Sequence, residues 1–269
     1  MELALWQIVV LAVVQGVTEF LPVSSSGHLV VVAALLSPEN ADQLDVADVN
    51  IALHLGTLLS IVVYYHKTIA RLLTEDRRAI GLLIVATLPA VLVGLPIYAF
   101  AKQLLSRTIL AGCMLIVTGI ILLWATRVRH GTERYQEMSY GKALLIGASQ
   151  ALAILPGLSR SGTTISTGIA ARLSPRSAAT FSFLMAILAI LGAGTLEAVK
   201  IAREGTSGTQ LGWLVVGALV AFVVGLAALW ALIRVLDRGR LSWFAWWCIP
   251  LGIAVIAWRL AAMLTTNSP

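Results

Sequence analysis

Six apolar runs divide this chain, at 49–65, 80–101, 108–126, 180–200, 211–233 and 244–264. Runs of about 17–25 apolar residues cross a bilayer as helix, because only a closed backbone ladder satisfies its own N–H and C=O groups in hydrocarbon. Charged residues make up only 12% of the chain, against roughly 25% in soluble domains. Strand-period alternation is absent, which argues against a membrane β-barrel. The start, Met-Glu and then apolar residues, has neither the basic region nor the small-residue cleavage site of a secretory signal peptide. The expected fold is therefore an all-α integral membrane protein.

The connections between runs differ sharply in charge. Those at 66–79, 127–142, 172–179 and 234–240 hold 13 of the 19 Lys and Arg, while 37–48 is purely acidic, with Glu39, Asp42, Asp45 and Asp48. Positive charge concentrates in cytoplasmic connections, so the first set is assigned to the cytoplasm. The net charge of +6 thus reports topology, and no nucleic-acid partner is expected. Cys113 and Cys248 lie inside apolar runs and read as small core residues.

One stretch breaks the pattern. Residues 18–28, TEFLPVSSSGH, place a carboxylate, a proline, three serines and an imidazole between apolar segments. The break recurs: 15–27 reads QGVTEFLPVSSSG and 150–162 reads QALAILPGLSRSG, which aligns Gln15 with Gln150, Ser25 with Arg160 and Gly27 with Gly162 at an offset of 135. Each half holds one interrupted segment and then three long ones, giving a first repeat of about 1–130 and a second of about 136–269. Three spans is an odd number, so the second half inserts upside down relative to the first. The interrupted segments then enter and leave on the same side, as two re-entrant helical hairpins. Such paired breaks in inverted halves point to a site near the midplane. The expectation is one membrane domain with about six transmembrane helices.

The two tips carry a phosphate-suited set. Glu19, Ser24, Ser25, Ser26, Gly27 and His28 stand on the first, and Ser159, Arg160, Ser161, Gly162, Thr163 and Thr164 on the second. Arg forks onto phosphate oxygens, hydroxyls donate, glycines admit backbone N–H groups, and each tip opens a helix whose N-terminus favours an anion. A lone carboxylate repels phosphate unless a divalent cation bridges them or it works as a general acid or base. The bland alternatives are serines and threonines bonding back to carbonyls and a purely structural Glu19–Arg160 pair. His54 reads as an interhelical bond, and Tyr65, Trp246 and Trp247 as interfacial residues.

QGVTEFLPVSSSGH and PGLSRSGTTI resemble the two signature motifs of the bacterial undecaprenyl pyrophosphate phosphatase (bacitracin-resistance) family, and the resemblance extends over essentially the whole chain. It implies hydrolysis of undecaprenyl pyrophosphate to the monophosphate, which recycles the lipid carrier of cell-wall synthesis. It also implies the bacterial cytoplasmic (inner) membrane, and a divalent cation, Mg2+ or Ca2+. Carried onto this chain, the catalytic residues are Glu19, Ser25, His28 and Arg160. Ser25 is the expected nucleophile, His28 its activator or the proton donor to the leaving group, and Glu19 the metal ligand or base. Gln15 stands where many members have Glu, so the expected metal ligands are Glu19 and Gln15. The charge pattern opens the site to the outer face. Membrane lipid is the expected surrounding, and the sequence leaves a homodimer open. The rival reading is a lipid-carrier flippase or transporter with the same inverted repeat and no chemistry.

The charge asymmetry sets a test. Single cysteines near Gln43 and within 204–209 should react with an impermeant maleimide in intact cells, and those near Thr132 and Gly239 should not. Labelling at Thr132 from outside overturns the orientation.

Overall fold

The computed structural model describes residues 3–36, 47–100, 107–129, 131–204 and 209–266. Within them lie α1 (Leu5–Phe20), α2 (Ser25–Leu36), α3 (Ala47–Tyr64), α4 (His66–Thr74), α5 (Arg77–Phe100) and α6 (Thr108–Arg127). The second half contributes α7 (Tyr140–Leu152), α8 (Arg160–Ala170), α9 (Pro175–Glu204), α10 (Leu211–Asp237) and α11 (Ser242–Thr266). Among the described residues no strand forms, and the one isolated bridge joins Glu133 to Leu173. Of the acidic connection at 37–48, Glu39, Asp42 and Asp45 lie outside the described residues.

Among the described residues five helices, α5, α6, α9, α10 and α11, are long and apolar enough to cross a membrane, and α3 with α4 meets the same test only when taken together, with a 73° bend between them. Large apolar side chains on these helices face outward, among them Leu92, Val223 and Trp246. A continuous belt of this kind suits lipid, where it costs nothing, and would be an aggregation hazard in water.

The bend after α3 was not expected, since 66–79 reads as a plain basic connection. Its residues are amphipathic: Leu72 is buried and Ile69 packs on the core, while Lys67 and Arg71 point away. That pattern folds the start of the connection into the short helix α4. Tyr65, at the corner, is not an interfacial residue. It is buried 6.3 Å from the Phe183 ring and edge-on to Tyr64 at 4.9 Å.

The two interrupted segments become helix pairs α1–α2 and α7–α8, with arms of 16, 12, 13 and 11 residues. At 1.5 Å per residue the longest arm covers about 24 Å, short of the roughly 30 Å hydrocarbon thickness. Over the described residues none of the four crosses alone, as re-entrant hairpins require.

Packing partners exchange between the halves. Helix α1 lies on α10 and α7 on α5, while α6 pairs with α11, and α3 packs chiefly on α10 and also on α9. Inside a membrane close backbone approach, more than hydrophobicity, holds helices together. The approach is visible at Gly147, where an added Cβ would stand 2.2 Å from the Ala86 carbonyl, and at Gly16, where it would meet Val224 and Gly225 of α10 within 3.0 Å. These two contacts clamp each hairpin to a spanning helix of the other half.

Gly157, in the break between α7 and α8, is the most constrained glycine for the site. Its φ is +89°, and an added Cβ would lie 2.0 Å from the carbonyl oxygen of Ala111 on α6. Gly157→Ala should lower stability by about 2 kcal/mol or more, combining positive-φ strain with overpacking. Thermal unfolding in detergent reads this, and a melting temperature equal to that of the parent chain contradicts it.

Candidate active site

Each tip is a short irregular turn stabilised from within. On the first, the Val23 N–H donates to the Leu21 carbonyl at 2.7 Å, and Ser24 adopts φ +70°. A left-handed serine is uncommon outside turns and functional sites. Here it turns the chain so that α2 begins at Ser25. The Ser24 hydroxyl accepts from the Gly27 N–H at 3.3 Å and lies 3.3 Å from the Ser26 hydroxyl. On the second tip, Thr118 of α6 acts as a clamp: its hydroxyl accepts from the Ser159 N–H and donates to the Gly157 carbonyl, both at 2.9 Å. Ser159 then caps α8, accepting from the Gly162 N–H at 3.0 Å.

The tips meet. The Ser161 hydroxyl donates to the Leu21 carbonyl at 3.2 Å, and a Cβ on Gly27 would come within 3.0 Å of the Gly157 Cα. At the junction Arg160 Nη2 donates to Glu19 Oε1 at 2.5 Å. Glu19 Oε2 accepts from the Ser25 hydroxyl at 2.7 Å and from Gln15 Nε2 at 3.0 Å. Glu19 is 7% exposed. A carboxylate so deep in an apolar protein survives only with partners, and three donors converge on it. Two atoms remain unsatisfied, the buried Arg160 Nη1 and the buried Gln15 Oε1. One is a donor for an anion and the other an acceptor for a cation or donor.

Not every expected site residue faces this junction. His28 Nδ1 lies 2.8 Å from the Ser24 carbonyl and its Nε2 accepts from Trp247 Nε1 at 2.9 Å. Both ring nitrogens are thus engaged, and among the described residues no hydrogen bond joins His28 to Ser25. The Ser25 hydroxyl is bonded to Glu19 instead. Thr163 and Thr164 donate to carbonyls one turn back, Thr163 to Ser159 at 2.8 Å and Thr164 to Arg160 at 2.7 Å, with Ser182 2.6 Å from the Thr164 hydroxyl. The bland reading of those two hydroxyls holds. Ser24 and Ser159 shape turns, whereas Glu19, Ser25, Arg160 and Gln15 are joined by side-chain hydrogen bonds at the junction.

Three residues belong to the site that the sequence did not single out. His54 on α3, held at Nδ1 by the Asn50 carbonyl at 2.8 Å, brings Nε2 to 3.9 Å from Glu19 Oε2. An imidazole inside a span was the available signal. Trp247 is more than an interfacial residue, because its indole N–H holds His28. Thr118 carried no signal, as one threonine in an apolar helix usually bonds within its own turn.

The family model described as bacitracin resistance protein BacA matches residues 8–254. The chain belongs to the bacitracin resistance protein BacA family. Among curated proteins it is 47% identical to a protein of Rhodopirellula baltica over 255 residues, covering 94% of this chain and 98% of the relative. It is 41% identical to one of Desulfosudis oleivorans over 267 residues, covering 91% and 94%. It is 35% identical to one of Carboxydothermus hydrogenoformans over 260 residues, covering 95% and 98%. Each of these relatives is named undecaprenyl-diphosphatase. Both tips lie within the matched residues.

Proposed function

We propose that this protein hydrolyses the phosphoanhydride of undecaprenyl pyrophosphate to undecaprenyl phosphate and inorganic phosphate. It would thereby recycle the lipid carrier of peptidoglycan and other cell-wall polymers and confer resistance to bacitracin. The observation that carries this reading is a buried guanidinium with one free Nη1, set beside a serine hydroxyl already bonded to a carboxylate. The names of its relatives supply the substrate. The positive-inside pattern supports a multi-pass protein of the bacterial inner membrane with the site opening outward.

In this mechanism Arg160 Nη1 holds a non-bridging oxygen of the terminal phosphate. The Ser25 hydroxyl attacks the terminal phosphorus and passes its proton to Glu19; the anhydride P–O bond breaks, and Glu19 gives that proton to the departing undecaprenyl phosphate, a transfer that returns Glu19 to its carboxylate. Water then hydrolyses the phosphoserine, with Glu19 as its base, and inorganic phosphate leaves. Glu19 suits this because Arg160 balances its charge and its Oε2 already accepts from Ser25. Its partners give His28 a positioning role: it grips the Ser24 carbonyl and so holds the left-handed turn in front of Ser25.

A divalent cation fits the same junction. Glu19 and the unpartnered Gln15 Oε1 are hard oxygen donors of the kind Mg2+ or Ca2+ prefers. No group of three His, Cys, Asp or Glu gathers among the described residues, so substrate oxygens and water would complete the shell. When bound, it would offset the repulsion between Glu19 and phosphate and stabilise charge developing on the transferred group.

The decisive assay is release of phosphate from undecaprenyl pyrophosphate by the purified chain in detergent. Wild-type protein should release it, chelator should abolish the release, and added Mg2+ or Ca2+ should restore it. Ser25→Ala should lose turnover yet bind the lipid pyrophosphate nearly as well. Arg160→Lys, which keeps charge but loses the planar fork, should lose on the order of 100-fold in kcat/KM. No release by the wild-type chain would leave the flippase or transporter reading. Turnover above a tenth of wild type in Ser25→Ala, a loss under about 1.4 kcal/mol, would exclude Ser25 as nucleophile.

A further inference from the structure

His54 takes part in neither step of the mechanism, and its geometry is unusual for a histidine inside a span. Its Nδ1 lies 2.8 Å from the Asn50 carbonyl of its own helix. A carbonyl only accepts, so Nδ1 carries the proton and the neutral ring presents a bare lone pair at Nε2. That lone pair faces Glu19 Oε2 at 3.9 Å, and among the described residues no donor is bonded to Nε2. Two acceptors turned toward each other repel unless positive charge lies between them. The separation suits a shared ion, since two donors each about 2.0–2.2 Å from a metal stand at most about 4.4 Å apart. A histidine that only joined helices would bond Nε2 to a partner across the interface.

A second, independent atom points to the same ligand. Gln15 is 0% exposed, and its Oε1 has no hydrogen-bond partner. The amide already stands at this spot, because its Nε2 donates to the same Glu19 oxygen at 3.0 Å. A half-turn of the amide exchanges nitrogen and oxygen, and a third acceptor then faces Glu19. Three acceptors suit a cation and repel an anion. The approach is open on the histidine side, where the His54 side chain is 38% exposed against 6% for Glu19.

We infer that His54 Nε2 is a protein ligand of the divalent cation, forming with Glu19 Oε2 and Gln15 Oε1 a mixed nitrogen and oxygen set on α1 and α3. The inference rests on the reading of the junction as cation-dependent and adds a consequence for the choice of ion. Imidazole nitrogen favours first-row transition ions, whereas an all-oxygen set favours Mg2+ and Ca2+. The site then admits Mg2+ but holds Mn2+ or Co2+ more tightly. The hydrogen bond from Nδ1 to Asn50 fixes the tautomer and aims the ring, as the outer hydrogen bond of a ligating histidine does.

Mn2+ is the probe, because its electron spin reports the nuclei bound to it. Full-length protein, in a detergent and buffer free of nitrogen, is stripped with chelator and titrated with Mn2+. The bound ion is then examined by pulsed electron paramagnetic resonance. Spin-echo modulation from the nitrogen of a coordinated imidazole should appear. His54→Gln, which offers an oxygen donor instead, should abolish that modulation and weaken Mn2+ binding at least tenfold, while Ca2+ binding changes less than threefold. His28→Gln should keep the modulation, since both ring nitrogens of His28 are engaged elsewhere. If His54→Gln does not fold, His54→Asn takes its place with the same expected loss. Phosphate release is not the readout, so Mn2+ held through nitrogen in a chain that releases no phosphate counts against the hydrolytic reading alone. Mn2+ bound without nitrogen modulation, modulation that survives the change at His54, or no Mn2+ binding at all overturns the inference. The first of these leaves the hydrolytic reading intact and makes His54 a plain charge partner of Glu19.

Discussion

The contact between Glu19 and Arg160 is the constraint on which the rest of the protein is arranged. Each charge alone would be costly at this depth, by at least about 2.5–3.5 kcal/mol on the insertion scale. Each comes from a hairpin whose arms are too short to cross the membrane. The pair is tolerable only because it is hydrogen-bonded on several sides, by Ser25 and Gln15 on the Glu19 carboxylate, and because the two turns touch through Ser161 and Gly27. Removing either charge leaves the other buried and unpaired, which costs more than the pair itself contributes. The α10 and α5 helices that flank the hairpins serve this junction, holding α1 and α7 so that their turns meet.

The exchange of packing partners between halves is what two inserted repeats of opposite sense would produce, and it explains why a polar centre exists at all. It does not make the centre symmetric. The position matching Glu19 in the second tip is Ile154, and the one matching Ser25 is Arg160. One tip thus brings acid and hydroxyl, the other the cation, and a single site results. Gln150, the counterpart of Gln15, is buried with both amide atoms unpartnered among the described residues. It marks where the second half keeps a polar residue without the acid that Gln15 serves.

Much of this was legible before any coordinates, because the bilayer leaves few choices. Apolar length gave α5, α6, α9, α10 and α11, and the cost of burying Glu19 and Arg160 marked them as partners in one site. What the sequence hid follows from side-chain geometry. Periodicity distinguishes an apolar face but not a 73° bend at Tyr65, so α4 was missed and Tyr65 was placed at the interface. A motif names its residues without their bonds, so His28 looked like the partner of Ser25. Its ring in fact lies between the Ser24 carbonyl and the Trp247 indole, 219 residues away in sequence. His54 reads from sequence as an interhelical bond, but nothing in its own helix names Glu19 as the neighbour; only the packing of α3 beside α1 does so.

The central claim, that the two tips form one charge-paired site, is tested most directly by a double-mutant cycle on Glu19→Gln and Arg160→Gln, with stability measured by reversible unfolding in a defined detergent. The account predicts strong coupling: each single change destabilises, and the double change costs less than the sum of the two by about 1–3 kcal/mol. Costs that add to within about 0.5 kcal/mol would mean that Glu19 and Arg160 do not meet, and the junction described here would be wrong.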